Sequence, residues 1–273
     1  MSTFCTTTEI KCVELPNGIE LPYVEQGDPS GVPVLFLHGY TDSWRSFEGV
    51  LNHLPESIHA FALSQRGHGD AIRPLTGYHS SDFAADLAVF MDSLGLEEAV
   101  IAGHCMGSYV AQRFGIDYPE RTRGMVLMAS FTTLRGNSQL AELSEAVSNL
   151  TDPVDPGFVR EFQMSTLAQP VPRAFFDTVV RESLKLPARV WRAALKGLME
   201  ADFSRDLGRI KAPTLIVWGD QDALFLRSEQ EALAAAIAGS RLTVYPGAGH
   251  ALHWENPRRF AADLADFIES LVN

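Results

Sequence analysis

Gly103-His104-Cys105-Met106-Gly107 sets a thiol between two glycines, directly after the apolar run Ala99 to Ala102 and directly before the helical pattern Tyr109 to Tyr118. A nucleophile on so sharp a strand-to-helix turn is held in a strained backbone conformation. Glycines two residues to either side let neighbouring backbone approach without a Cβ clash. The helix that follows aims its free N–H groups and positive dipole end at the side chain, which favours a thiolate and, later in a reaction, an oxyanion. Cys105 is therefore placed to attack an acyl carbon. The competing reading is a small buried side chain at a tight turn, a common environment for free cysteine.

Two further groups follow in chain order. Trp218-Gly219-Asp220-Gln221-Asp222 closes the apolar run Thr214 to Trp218, and loops at the carboxyl ends of strands gather active-site groups in open α/β sheets. Either carboxylate fits. Gly247-Ala248-Gly249-His250 follows the run Leu242 to Tyr245, with His253 three residues on. A thiol, a carboxylate and an imidazole are the parts of a Cys-His-Asp relay for acyl transfer.

The elements that must position these groups are legible as a rhythm. Short apolar runs at Val34 to Leu37, Ile58 to Leu63, Ala99 to Ala102, Met125 to Ala129, Thr214 to Trp218 and Leu242 to Tyr245 alternate with helical patterns such as Asp82 to Leu94 and Phe260 to Leu271. This alternation predicts an α/β fold, a mostly parallel central sheet with helices on both faces. The interval from Phe131 to Leu207 breaks it with Pro153, Pro156, Pro170, Pro172 and Pro187, several short amphipathic segments and no strand-like run. The expected organisation is a core of residues 1–130 and 208–273 carrying a helical cap, or lid, at 131–207. Phe158, Phe162, Met164, Phe175, Phe176, Trp191 and Leu195 make that insert rich in large apolar groups; they either line a pocket or hold the insert onto the sheet.

Composition narrows the function. In 273 residues, 46% are hydrophobic, enough for a large core without staples. The 34 acidic residues outnumber 22 basic ones for a net charge of −12, and no basic cluster interrupts the surplus. Neither nucleic acid nor a membrane surface is an expected partner; a small-molecule substrate is. No apolar run approaches the roughly 20 residues of a membrane span, and Met1 to Cys12 is polar and threonine-rich, so a cytoplasmic protein is expected. Cys5, Cys12 and Cys105 form no CxxC pair and stand near no metal-spaced histidines, so neither a disulfide framework nor a zinc site is expected, and no motif implies a cofactor. The helical faces leave the oligomeric state open.

The order nucleophile, acid, histidine, together with His38-Gly39, Arg66-Gly67-His68-Gly69 and the insert, resembles the α/β-hydrolase superfamily over nearly the whole chain. The resemblance implies that the acid is Asp222, in a Gly-x-x-Asp turn, leaving Asp220 to shape that turn through an Asx bond. It selects His250 over His253 and implies an oxyanion hole from the backbone N–H groups of Tyr40 and Met106. It gives the Arg66 to Gly69 turn a structural role, and His38 and His104 supporting hydrogen bonds. Two positions depart from the usual pattern: Cys105 stands where most relatives carry serine, and Ser64 where they carry aspartate. The cysteine is either a native nucleophile, as in members resembling dienelactone hydrolase, or an engineered replacement of a catalytic serine. The implied activity is hydrolysis of a small, mainly apolar ester, lactone or thioester through an acyl-enzyme. A thiol disfavours dehalogenase and epoxide hydrolase chemistry, because water cannot release a thioether. Carbon–carbon bond hydrolysis of an activated diketone and a hydrolase-like small-ligand receptor stand as alternatives.

Overall fold

A single eight-stranded sheet in the order β1-β2-β4-β3-β5-β6-β7-β8 organises the chain, in a computed structural model that describes residues 9–272. The strands are β1 (Lys11–Glu14), β2 (Glu20–Gln26), β3 (Val32–Leu37), β4 (Ile58–Leu63), β5 (Ala99–His104), β6 (Thr122–Met128), β7 (Thr214–Gly219) and β8 (Arg241–Tyr245). Every pair from β4 to β8 is parallel, whereas β1 with β2 and β2 with β4 are antiparallel. The apolar runs read from sequence are the six parallel strands. Most strands extend a residue or more beyond those runs, and one residue of the runs drops out: Ala129 falls outside β6, where its φ of +44° turns the chain out of the strand. Cys5 lies outside the described residues, and Cys12 is an exposed free thiol in β1.

The helices are α1 (Glu48–Leu51), α2 (Ser80–Ser93), α3 (Met106–Asp117), α4 (Ser138–Ser148), α5 (Pro156–Ser165), α6 (Arg173–Leu184), α7 (Ala188–Glu200), α8 (Arg227–Ala236), α9 (Leu252–Glu255) and α10 (Pro257–Val272). Successive strand residues point to opposite faces, and both faces are covered. Leu35, Leu37, Ile101, Leu127 and Ile216 join one apolar cluster with α2, α3 and α8. Val34, Phe36, Val100, Val126 and Val217 join a second with α1, α9 and α10. This is why the parallel strands read as unbroken apolar runs. Among the described residues no helix is long and apolar enough to cross a membrane.

Helices α4 to α7 form the insert between β6 and β7. Its prolines start helices as well as punctuating them: Pro156 occupies the first turn of α5 behind the capping Asp155, and Pro172 and Pro187 stand immediately before α6 and α7. An isolated antiparallel bridge between Thr133 and Asp202 ties the two ends of the insert together where it leaves the sheet.

Strand order reverses about β3: β4 lies on one side of it and β5 on the other. At such a switch point the loops leaving adjacent strands diverge and open a crevice at their carboxyl ends. Here those loops carry His38-Gly39-Tyr40 and Cys105. The crevice is tightly built. A Cβ on Gly107 would lie 2.1 Å from the Leu37 carbonyl oxygen, and one on Gly103 would lie 2.2 Å from that of Gly107. Gly107→Ala is therefore expected to cost about 3 kcal/mol, read as a lowered urea midpoint with an unchanged m-value. A cost below about 1 kcal/mol would show that β3 and α3 are free to separate.

Candidate active site

Cys105 is the hinge between β5 and α3, with φ of +48° and ψ of −111°. Its N–H donates to the Met128 carbonyl at 3.0 Å, and its own carbonyl accepts from Ser108 and Tyr109 in the first turn of α3. The backbone is thus pinned on both sides while the side chain stands half-buried at the helix N-terminus. The glycine spacing read from sequence has the steric role expected of it.

Asp222 and His250 come from separate loops, after β7 and β8, and meet in the crevice. His250 Nδ1 lies 2.9 Å from Asp222 Oδ2, and both side chains are buried. Asp222 Oδ1 accepts from the N–H groups of Leu224 and Phe225, at 2.8 and 3.1 Å, so the carboxylate is fixed before it meets the ring. Asp222 itself therefore makes the Asx-type bond expected of Asp220. Asp220 instead reaches across to the next loop, where its Oδ1 accepts from the Gly247 N–H at 2.7 Å. The correction has a simple cause: Gly219 is pressed against the Ala248 and Gly249 carbonyls, which brings the two loops within reach of each other.

Burial disfavours a charged His250 ring, but the Asp222 carboxylate and Cys105, which also interacts with the ring, outweigh it and hold the pKa well above the ordinary histidine value. The neighbouring imidazoles behave in the opposite way. His104 donates from Nε2 to the His250 carbonyl at 3.0 Å, and burial with two adjacent histidines pushes its pKa well down. His253 contacts Ser46 Oγ through Nε2 at 3.0 Å; burial and His250 push it down to about 3. It lies behind His104, with ring centroids 4.4 Å apart, and does not line the cavity. His38 accepts from the Gln65 N–H and contacts the Gly39 carbonyl, fixing the loop that ends β3. Arg66 forms a buried ion pair with Asp86, in keeping with a structural turn. Ser64 Oγ accepts from the Trp44 N–H at 3.3 Å.

The N–H groups of Tyr40 and Met106 have no protein acceptor among the described residues. The Tyr40 hydroxyl donates to the Trp191 carbonyl of α7 at 2.7 Å, and its ring stands edge-on to Phe162 and Trp191. Below the insert lies a narrow cavity of about 40 Å³, lined by Cys105, His250, Tyr40 and a set of apolar side chains that includes Phe131, Leu134, Leu140, Leu143, Phe162, Leu195, Leu198, Leu224 and Phe225. Of the large apolar residues singled out in the insert, Phe162 and Leu195 line this cavity, Trp191 packs fully buried behind Phe162, and Met164 is exposed.

Among the cavity residues that sequence reasoning missed are the polar Asp42, Gln163 and Thr166. Asp42 belongs to the loop after the His-Gly pair, where site groups collect. Gln163 lies four residues after Val159 on the buried face of α5, and that misplaced polar side chain was the available signal.

A profile of the alpha/beta hydrolase fold matches residues 32–257. The chain belongs to the α/β-hydrolase family. It is 27% identical over 280 residues to a non-heme haloperoxidase of Rhodococcus erythropolis, covering 94% of this chain and 99% of that one. Among solved structures, an esterase from Rhodococcus sp. ECU1013 is 25% identical with a TM-score of 0.85, covering 96% of this hydrolase and 99% of that chain. A thermophilic esterase from Thermogutta terrifontis is also 25% identical, with a TM-score of 0.82 and coverage of 96% and 99%.

The His250 environment leads to a direct measurement. Ring NMR is expected to show His250 titrating above the ordinary histidine range, with the pKa falling in Cys105→Ala and again in Asp222→Asn. An unchanged pKa in both variants would remove the sulfur and the carboxylate as its causes.

Proposed function

We propose that this α/β-hydrolase cleaves a small, mainly apolar ester, lactone or thioester by acyl transfer to Cys105. The observation that carries the reading is the His250 ring held between Asp222 and Cys105, on an elbow at the strand-order switch. The two esterase structures that share the fold at 25% identity support it.

The chemistry follows from where charge sits. With a proton on His250, Cys105 attacks as thiolate and forms a bond to the acyl carbon. The carbonyl oxygen becomes an oxyanion, for which we assign the Tyr40 and Met106 N–H groups as donors; the latter also lies at the N-terminus of α3, whose dipole favours negative charge. The tetrahedral intermediate then expels the alcohol or thiol, which takes the proton from His250, leaving an acyl-thioester and a neutral ring. Water gives a proton back to His250 as it attacks the thioester, and the second collapse returns thiolate and imidazolium. Asp222 holds the ring with Nδ1–H toward it and stabilises the charged form without taking the proton.

We assign residues 131–207 as the cap over a core of 1–130 and 208–273, with the apolar cavity wall favouring apolar substrates. We also read the cysteine as the working nucleophile. A thiol is far more acidic than a hydroxyl and can ionise beside the His250 ring, whereas a serine here would have to lose its proton during the attack itself.

Incubation with p-nitrophenyl hexanoate is expected to give an acyl adduct on Cys105 by intact-mass and peptide mapping. Cys105→Ala and His250→Ala are expected to lower kcat at least roughly 10³-fold, and Asp222→Asn about 10⁴-fold. Cys105→Ser should be slower than the parent at neutral pH. An adduct on Cys5 or Cys12 alone, or a faster serine form, would overturn the assignment.

A further inference from the structure

Among the polar side chains that line the catalytic cavity outside the relay and the oxyanion hole, Asp42 and Gln163 stand paired with each other. Asp42 stands two residues beyond Tyr40, is only 3% exposed, and lines the cavity beside Gln163. Gln163 descends from α5 of the insert and is 1% exposed. Its Nε2 donates to Asp42 Oδ1 at 3.1 Å and also stands within reach of Thr41 Oγ1 at 3.2 Å and Ser183 Oγ at 2.8 Å. Two amide protons thus serve three acceptors. Oδ2 of Asp42 lies against Gly39, where a Cβ would meet it at 3.0 Å, so the carboxyl borders the loop that carries Tyr40.

A buried carboxyl is costly even beside a few polar neighbours, because the groups around it replace only part of its hydration. The groups acting on Asp42 are Gln163, His250, the Gly39 backbone and Ser46; no lysine or arginine is among them. An apolar residue here would close the cavity at lower cost, and small-molecule pockets use such isolated polar points to orient a ligand. The location says which part of the ligand. Asp42 interacts with His250, and Thr166, which also lines the cavity, accepts the Ala251 N–H next to that histidine. This polar end is therefore the His250 side, where a departing alcohol must lie to take its proton. The leucines of α4 and α7, with Leu134, supply the apolar remainder.

We infer that Asp42 and Gln163 form a subsite for a hydroxyl group on the alcohol half of the substrate, so that the preferred substrates are hydroxyalkyl esters with an apolar acyl chain. The inference rests on the acyl-transfer reading above and deepens it. A hydroxyl is the group that fits because it both donates and accepts: it can give a hydrogen bond to Asp42 and take one from the Gln163 amide. Burial pushes the Asp42 carboxyl up to about 7, so it is present in both forms near neutrality. An ammonium needs the carboxylate alone and a carboxylate ligand needs the acid alone, whereas a hydroxyl pairs with either.

The test uses three hexanoate esters: 2-hydroxyethyl, propyl and p-nitrophenyl. The first two are nearly equal in size and differ in the terminal hydroxyl. The parent enzyme is expected to favour the hydroxyethyl ester over the propyl ester at least tenfold in kcat/KM, chiefly through KM. Asp42→Leu and Gln163→Leu are each expected to bring that ratio to about one or below, and Asp42→Asn to an intermediate value. A side chain that merely supports the fold would lower both rates together and leave the ratio where it was, which would overturn the subsite. A parent ratio of one or less, with p-nitrophenyl hexanoate still turned over through Cys105, would overturn the subsite alone. Failure of all three esters to react would overturn the acyl-transfer reading and the subsite with it.

Discussion

Backbone strain gathered at one edge of the sheet is the constraint on which the site depends. Three residues other than glycine have positive φ among the described residues: Thr41 at +68°, Cys105 at +48° and Ala129 at +44°. They follow β3, β5 and β6, three neighbouring strands in the sheet order, and all lie at the carboxyl ends. Each such residue costs of order 1–3 kcal/mol and persists only where its surroundings over-determine it. For Cys105 and Ala129 the surroundings are the sheet itself, and for Thr41 they are Gln163 and Ser183 of the insert. The Cys105 N–H is bonded to Met128 on the next strand, and the Ala129 N–H to Val217 on the strand beyond. A sulfur raised above the sheet is thus a consequence of strand pairing, with α3 and the glycines on either side preventing relaxation.

On that rigid edge, charge is distributed unevenly among similar side chains. Burial disfavours the charged form of His38, His104, His250 and His253 alike, but His250 alone meets both a carboxylate and the thiol, and its pKa alone goes up. Once that ring is charged, it opposes charge on its neighbours: its centroid lies 4.9 Å from that of His104, which in turn touches His253. Neutral imidazoles are then free to act as oriented hydrogen-bond partners. His104 does so by donating to the His250 carbonyl. One pairing therefore sets His250 apart from neighbouring rings whose pKa values burial pushes down.

The same logic explains what could be read from residue order alone. Parallel strands covered on both faces leave continuous apolar runs, so β3 to β8 were visible; β2 was not, because it pairs antiparallel near the sheet edge and its Glu20, Pro22, Glu25 and Gln26 are exposed or half-exposed. The elbow was visible because close backbone approach demands glycine on both sides of Cys105. Asp220 and Asp222 could not be separated by composition, since both sit in the same turn and differ only in which loop they face. Asp42 was missed for a related reason. In Thr41-Asp42-Ser43 an aspartate reads as an ordinary solvated cap or turn residue, and Ser43 does cap the next turn. Its burial comes from the insert, more than a hundred residues away in the chain, which no local pattern encodes.

The insert also limits what the site can do at rest. A cavity of about 40 Å³ holds a few water molecules and not an ester, so substrate binding requires lining side chains to move. Polar contacts tie the insert to the core at many points, among them Gln163 to Asp42, the Tyr40 hydroxyl to Trp191, Arg189 to the Arg73 and Pro74 carbonyls, Ala168 and Gln169 to Glu255, and Lys185 to Asp70. Two of these contacts use residues that line the cavity itself. A ligand entering beside His250 must displace Gln163 from Asp42 or take its place, so the group that recognises the ligand also helps hold the empty site closed. At the inferred subsite a ligand hydroxyl exchanges one hydrogen bond for another, which costs less than leaving either buried partner unpaired.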